Sequence, residues 1–140
     1  MVFLVVSLGY AWYSYYVPSS DVAWADDVGV ARSLAAESGK PVLLFFTAEW
    51  CVPCRIMKRT VLADPEVVAA INATVIPVMV SEGGPGADQV FSRYNVRATP
   101  VTIFTDPQGA VLDYRVGGIG RAEFMEMLEN LNRVPRPATS

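Results

Sequence analysis

The chain has 140 residues, 52% of them hydrophobic, with 14 acidic and 11 basic side chains, no histidine and a net charge of −3. That length holds one compact core rather than two. The acidic balance excludes nucleic acid as a partner, which would call for a basic face, and two cysteines without histidine cannot complete a four-ligand zinc site within the chain.

Residues 1–20 carry no charged side chain, and 2–17 are almost wholly apolar or aromatic. As a helix, those residues reach about 24 Å at 1.5 Å per residue, short of a hydrocarbon core of about 30 Å. Tyr10, Trp12, Tyr13, Tyr15 and Tyr16 crowd the C-terminal half, where an interfacial aromatic belt would lie. Three readings stand side by side. The segment is a membrane anchor or the shortened last helix of a longer membrane protein; a signal peptide cleaved near Ala23-Trp24-Ala25, although no Lys or Arg precedes the apolar run; or a buried part of a soluble fold. Asp21, Asp26 and Asp27 follow it, with no basic residue before Arg32, so nothing holds that flank in the cytoplasm. The expected division is 1–20 as apolar segment, 21–132 as folded domain and 133–140 as a frayed tail.

Residues 26–38 read as a helix with Val28, Ala31, Leu34 and Ala35 on one face, closed by Gly39 and Pro41. The continuous apolar run 41–47 predicts a buried central strand. Residues 51–62 are predicted helical, and Asp64 with Pro65 caps and starts a further helix through 71. The run 74–80 predicts a second buried strand, parallel to the first through a crossover. Ser81-Glu82-Gly83-Gly84-Pro85-Gly86 matches no phosphate-binding pattern and reads as a flexible connection. A helix is expected over 86–94. Strands at 101–105 and 110–116 flank Asp106-Pro107-Gln108-Gly109, whose Pro and Gly suit a type I turn. Phe124, Met127, Leu128 and Leu131 give the last helix one apolar stripe, so its methionines are core rather than a metal box.

The chemistry sits at Trp50-Cys51-Val52-Pro53-Cys54, directly after the apolar run and at the head of a helix. A thiol in the first turn of a helix faces unpaired N–H groups and the positive end of the helix dipole, both of which favour thiolate. Thiolate is the nucleophile of thiol–disulfide exchange. Haem attachment is excluded because Arg55 stands where that motif needs histidine. A purely structural disulfide over so short a loop removes little unfolded-state entropy. Cys51, at the helix start, is the expected exposed nucleophile, and Cys54, one turn in, the shielded resolving thiol. No metal and no cofactor is assigned.

The block Thr47-Ala48-Glu49-Trp50-Cys51-Val52-Pro53-Cys54 after a Phe-rich strand, with Ala98-Thr99-Pro100-Val101 far downstream, resembles the thioredoxin superfamily. Gly39-Lys40-Pro41-Val42, Asp64-Pro65-Glu66-Val67 and Asp106-Pro107-Gln108-Gly109 make it most similar to the branch containing the C-terminal periplasmic domain of DsbD, the thiol:disulfide interchange protein. The resemblance spans about residues 24–131. It implies a thioredoxin fold, with a central mixed β-sheet and helices on both faces, preceded here by the apolar segment. It also implies that Trp50 flanks the reactive sulfur, that Val52 and Pro53 bias the pair towards reduction, and that Thr99-Pro100 is a cis peptide. The Thr99 main chain would then pair with an extended substrate in β-augmentation fashion. Gly117 and Gly118 either let that peptide approach or simply turn the chain.

Two positions depart from the family. A buried carboxylate is expected six residues before the first cysteine, and Phe45 stands there; a further acid seven residues after it is replaced by Lys58. Glu49 and Lys58 are the nearest titratable groups, and each reads as a solvated surface charge. Cys54 is therefore expected to lose its proton through water or to Cys51. The function implied is a monomeric, membrane-anchored disulfide reductase on the extracytoplasmic, periplasmic side. It would take electrons from a transmembrane donor and pass them to oxidised proteins, with apocytochrome c cysteines among the plausible recipients by analogy. Two other classes compete: a soft-metal module holding Cu(I) or Zn, and a redox-silent module binding peptides at Thr99-Pro100.

Overall fold

A computed structural model describes residues 1–16 and 20–133. Arg133, where the tail is expected to start, instead closes the last helix, and the rest of the expected tail, 134–140, lies outside the described residues. Four strands form one mixed sheet in the order β2-β1-β3-β4, with β1 at Val42–Thr47, β2 at Ile76–Ser81, β3 at Val101–Thr105 and β4 at Val111–Val116. β1 runs parallel to β2 and antiparallel to β3, and β4 returns antiparallel beside β3. Every residue of β1 is buried, as its unbroken apolar run requires of a strand covered on both faces.

Side chains alternate between two cores. Leu43 and Phe45 point to one face, with Met57, Val67, Ile71, Phe104, Phe124 and Leu128. Val42, Leu44 and Phe46 point to the other, with Ala31, Ala35, Val78 and Ile103. The first face is covered by α3 at Val52–Thr60, α4 at Pro65–Thr74 and α6 at Arg121–Arg133, and the second by α2 at Val28–Ser38 and α5 at Ala87–Arg93. The apolar stripe of α6 is as expected: Phe124, Met127, Leu128 and Leu131 are its buried residues.

Several boundaries differ from those expected. Asp27 is the N-cap of α2, its carboxylate accepting from Val30 N–H, so the helix starts at Val28 rather than at 26. Only Ala31 and Ala35 of its predicted face are buried; Leu34 is 42% exposed. α3 ends at Thr60, before 62, and α4 runs on to Thr74, which moves the start of β2 to Ile76. Ala25 adds a lone parallel bridge to Val78 on the outer edge of β2. The turn after β3 is closed by Gly109 N–H donating to Asp106 O at 3.0 Å, while Asp106 Oδ1 accepts from Gln108 and Ala110 N–H.

The apolar start forms α1, Val2–Tyr15, and none of its residues is buried. That overturns the reading of it as a buried part of a soluble fold. No described helix is long and apolar enough to cross a membrane. α1 meets the domain at its C-terminal end. Arg59 donates to Tyr13 O at 2.6 Å and Arg55 to Ser14 O at 3.2 Å, and the two guanidinium groups lie 4.7 Å and 5.1 Å from the ring centres of Tyr13 and Tyr15. The last carbonyls of a helix have no partner of their own and form its negative end. Two arginines of α3 supply both the donors and the charge.

Candidate functional site

Cys51 and Cys54 form a disulfide with a Cα–Cα distance of 5.3 Å. Cys51 is the N-cap of α3: its backbone is extended, and its Sγ accepts from Cys54 N–H at 3.2 Å. The helix therefore begins at Val52 rather than at 51, and Pro53 falls in its first turn, where a missing N–H has no partner to lose. Val52 is 53% exposed. The expectation of an exposed Cys51 needs correction for the disulfide form, since Cys51 is 1% and Cys54 0% exposed. Both cysteines sit in a small buried cluster with Ala48.

Three stretches distant in sequence meet around this pair. Thr99-Pro100 is a cis peptide, as the resemblance implied, and Pro100 O accepts from Gly117 N–H at 2.8 Å. Gly117 has φ of 95°, in the left-handed region where glycine carries no Cβ penalty. A Cβ on Gly118 would lie 3.8 Å from Pro53 Cβ, so the loop after β4 runs directly alongside the first turn of α3. Among the described residues, neither the N–H nor the C=O of Thr99 makes a backbone–backbone hydrogen bond. Beside it opens a groove of about 510 Å³ lined by residues including Val96, Arg97, Ala98, Tyr114 and Val116.

Trp50 projects outward, 70% exposed, and its indole Nε1 donates to Glu82 Oε2 at 2.8 Å. Glu82 N–H in turn donates to Thr47 O at 2.8 Å. The glycine-rich segment is thus pinned at Glu82, which joins the site without any motif having marked it. Only its position directly after a strand that pairs with the CxxC strand gives it away.

Phe45, six residues before Cys51, is fully buried, 6.5 Å from the Trp24 ring centre, and stands opposite Thr102 across the β1–β3 ladder. The carboxylate position of the family is filled by hydrocarbon. Lys58 is partly buried, and that desolvation, helped by the positive charge of Arg55 and opposed by Glu49, lowers its pKa from the ordinary 10.5. The picture of Lys58 as a fully solvated charge is corrected accordingly. Glu49 is exposed, and its carbonyl accepts from Arg55 at 2.8 Å. Among the described residues, no group of three or more His, Cys, Asp or Glu side chains is placed to hold a metal.

A cysteine pair at a helix N-terminus is suited to thiol–disulfide exchange. A family model for a thioredoxin-like domain matches residues 28–132. Over 99 residues the chain is 38% identical to the thiol:disulfide interchange protein DsbD of Ralstonia nicotianae, covering 69% of this chain and 16% of that protein. A thioredoxin from Thermus thermophilus superimposes with a TM-score of 0.71 at 29% identity, covering 79% of this chain and 87% of its own. The oxidised C-terminal domain of DsbD from Neisseria meningitidis has the same fold, with a TM-score of 0.62 at 24% identity, covering 76% of this chain and 97% of its own. The chain spans a fifth or less of the length of the first relatives it matches. It belongs to the thioredoxin-like domain family, as a disulfide oxidoreductase domain built on the Cys51–Cys54 pair.

Proposed function

We propose that this domain is a disulfide reductase acting at the outer face of a membrane, taking electrons from a membrane donor and passing them to oxidised extracytoplasmic proteins. The observation that carries the reading is the Cys51 N-cap geometry, with Pro53 in the first turn and the cis Thr99-Pro100 peptide as neighbour. Cys51 attacks the partner disulfide as thiolate, the partner's second sulfur leaves, and Cys54 then displaces the partner from Cys51. Thr99 offers its free main chain to the partner's extended segment, and the groove lined by Val96, Tyr114 and Val116 receives the neighbouring side chains.

Similarity to DsbD supports the membrane link, and so does α1, whose exposed apolar surface ends in an aromatic cluster held by Arg55 and Arg59. Residues 1–17 are the part that touches the bilayer. At 14 residues α1 spans about 21 Å, so it anchors either as a shallow helix or as the end of a longer span.

The reduction potential of the pair, measured in graded dithiothreitol or glutathione buffers, tests this reading. A value near or below about −230 mV fits a reductase fed from a membrane, whereas one above about −180 mV fits an oxidase or isomerase and overturns it.

A further inference from the structure

Arg55, Lys58 and Arg59 stand three and four positions apart on α3 and so share one side of it. In a chain of net charge −3 they form a local cluster of positive charge. Among the described residues the ion pairs are those of Arg115 and Arg121, and none involves these three side chains. The charge of Arg55 helps to lower the pKa of Lys58, as cations crowded on one surface do. Glu49, which acts on Lys58 in the opposite sense, meets Arg55 through its carbonyl rather than its carboxylate.

The position of this cluster relative to α1 is fixed. Arg59 donates to Tyr13 O and Arg55 to Ser14 O, and their guanidinium groups lie 4.7 Å and 5.1 Å from the Tyr13 and Tyr15 ring centres. None of the residues of α1 is buried, and a tyrosine-rich end of an apolar helix settles at the headgroup level of a bilayer. Whatever depth that end takes, the two arginines share it, because they are bonded to it. Each guanidinium carries five N–H donors, most of which these bonds leave over.

We infer that the side of α3 carrying Arg55, Lys58 and Arg59 is a docking surface for anionic phospholipid headgroups, which seats the redox helix against the bilayer that α1 enters. The inference rests on the membrane reading of α1 above. Arginine forks match phosphate oxygens in pairs, and a lysine ammonium binds them as a point charge. Near an anionic membrane surface each such cation strengthens attachment by about fivefold. An acidic protein would satisfy the same charges, but it would not explain why they adjoin the end of an exposed apolar helix.

The docked side leaves the partner side open. Pro53 lies two positions before Arg55, on the opposite side of α3 at about 100° per residue. Pro53 faces the loop after β4, 3.8 Å from where a Cβ on Gly118 would be. The cis Thr99-Pro100 peptide belongs to that side, since Pro100 O accepts from Gly117 N–H. A bilayer against the cations thus holds the Cys51–Cys54 pair near its surface without covering the residues proposed to receive a partner.

The experiment uses the full chain, isotope-labelled, in nanodiscs of phosphatidylcholine alone and of phosphatidylcholine with about one third phosphatidylglycerol, each with a trace of gadolinium-chelating lipid. Line broadening of the amides of residues 13–15 in both discs establishes that α1 enters the bilayer; its absence from both would remove the reading beneath this one. The docking surface predicts that broadening at residues 55–59 is about twofold or more stronger with phosphatidylglycerol, while the amides of α2, on the other face of the sheet, stay sharp. The difference between the lipids should vanish in about 1 M salt, where the Debye length is about 3 Å. Lys58→Gln, which takes no part in the hydrogen bonds to α1, should shrink that difference with residues 13–15 unaffected, and Lys58→Arg should keep it. With α1 embedded, equal broadening of residues 55–59 in the two lipids, a difference that survives high salt, or one that Lys58→Gln leaves unchanged would each overturn the inference.

Discussion

The indole of Trp50 and the carboxylate of Glu82 are joined by a 2.8 Å hydrogen bond, which ties the residue before Cys51 to the loop that leaves β2. Glu82 also sets a negative charge at the rim of the redox site. A nearby negative charge disfavours thiolate and raises a thiol pKa. Glu82→Gln keeps an acceptor for the indole and removes the charge, so the reduced Cys51 should be alkylated by iodoacetamide severalfold faster at neutral pH. Glu82→Ala should in addition broaden the Trp50 emission, and equal alkylation rates for all three proteins would refute the charge effect.

Lys58 loses solvation on folding, so its pKa is lower in the folded chain than in the unfolded one. Across the interval between the two values the unfolded chain binds more protons, and stability rises as pH climbs towards 10.5. Below that interval the full penalty for the charged ammonium is present. Lys58→Met should raise Tm at neutral pH and flatten the alkaline rise in a Tm-versus-pH series.

Asp64 behaves with the opposite sign. Its Oδ1 caps α4 by accepting from Glu66 and Val67 N–H, while Arg121 reaches Oδ2 at 3.1 Å and also pairs with Glu66. The Val67 hydrogen bond, the largest influence, holds the carboxyl below its ordinary 3.8; desolvation opposes it, and the charge and hydrogen bond of Arg121 restore the downward direction. That stabilisation is present in full above about pH 4 and is lost as pH falls through the lowered value. Acid titration by circular dichroism should show Asp64→Ala less stable than wild type at pH 7, with the difference shrinking as pH falls through the lowered value.

Arg55 and Arg59 hold the C-terminal end of α1 against the redox helix. Exposed cation–π contacts contribute about 0.5–1 kcal/mol each, so neither arginine alone should release the helix. The double variant Arg55→Ala/Arg59→Ala should accelerate hydrogen exchange at the amides of residues 13–16 while leaving β1 protected. Unchanged exchange there would show that α1 is held by something else.

The parts governed by short-range chemistry were legible before the fold was known. Cys51 and Cys54 at a helix start, Asp64-Pro65 as cap and first turn, Asp106 to Gly109 as a turn and the stripe of Phe124, Met127, Leu128 and Leu131 follow from local hydrogen bonding and from 3.6-residue periodicity. The cis state of Thr99-Pro100 was legible only through family resemblance, because nothing local favours it. Leu34 shows where periodicity fails. It lies on the apolar stripe of α2 yet is 42% exposed, because the helix contacts the sheet through the narrow Ala31 and Ala35 surface.

What meets across the chain came from the fold alone: Trp50 with Glu82, Arg59 with Tyr13, Gly118 with Pro53, and Phe45 with Thr102. Strand register and the angle at which a helix lies on a sheet are set by the sum of many packing contacts, so no short stretch of sequence encodes them. The reactive pair is therefore legible in five consecutive residues, while the groups around it come from strands and loops that folding brings together.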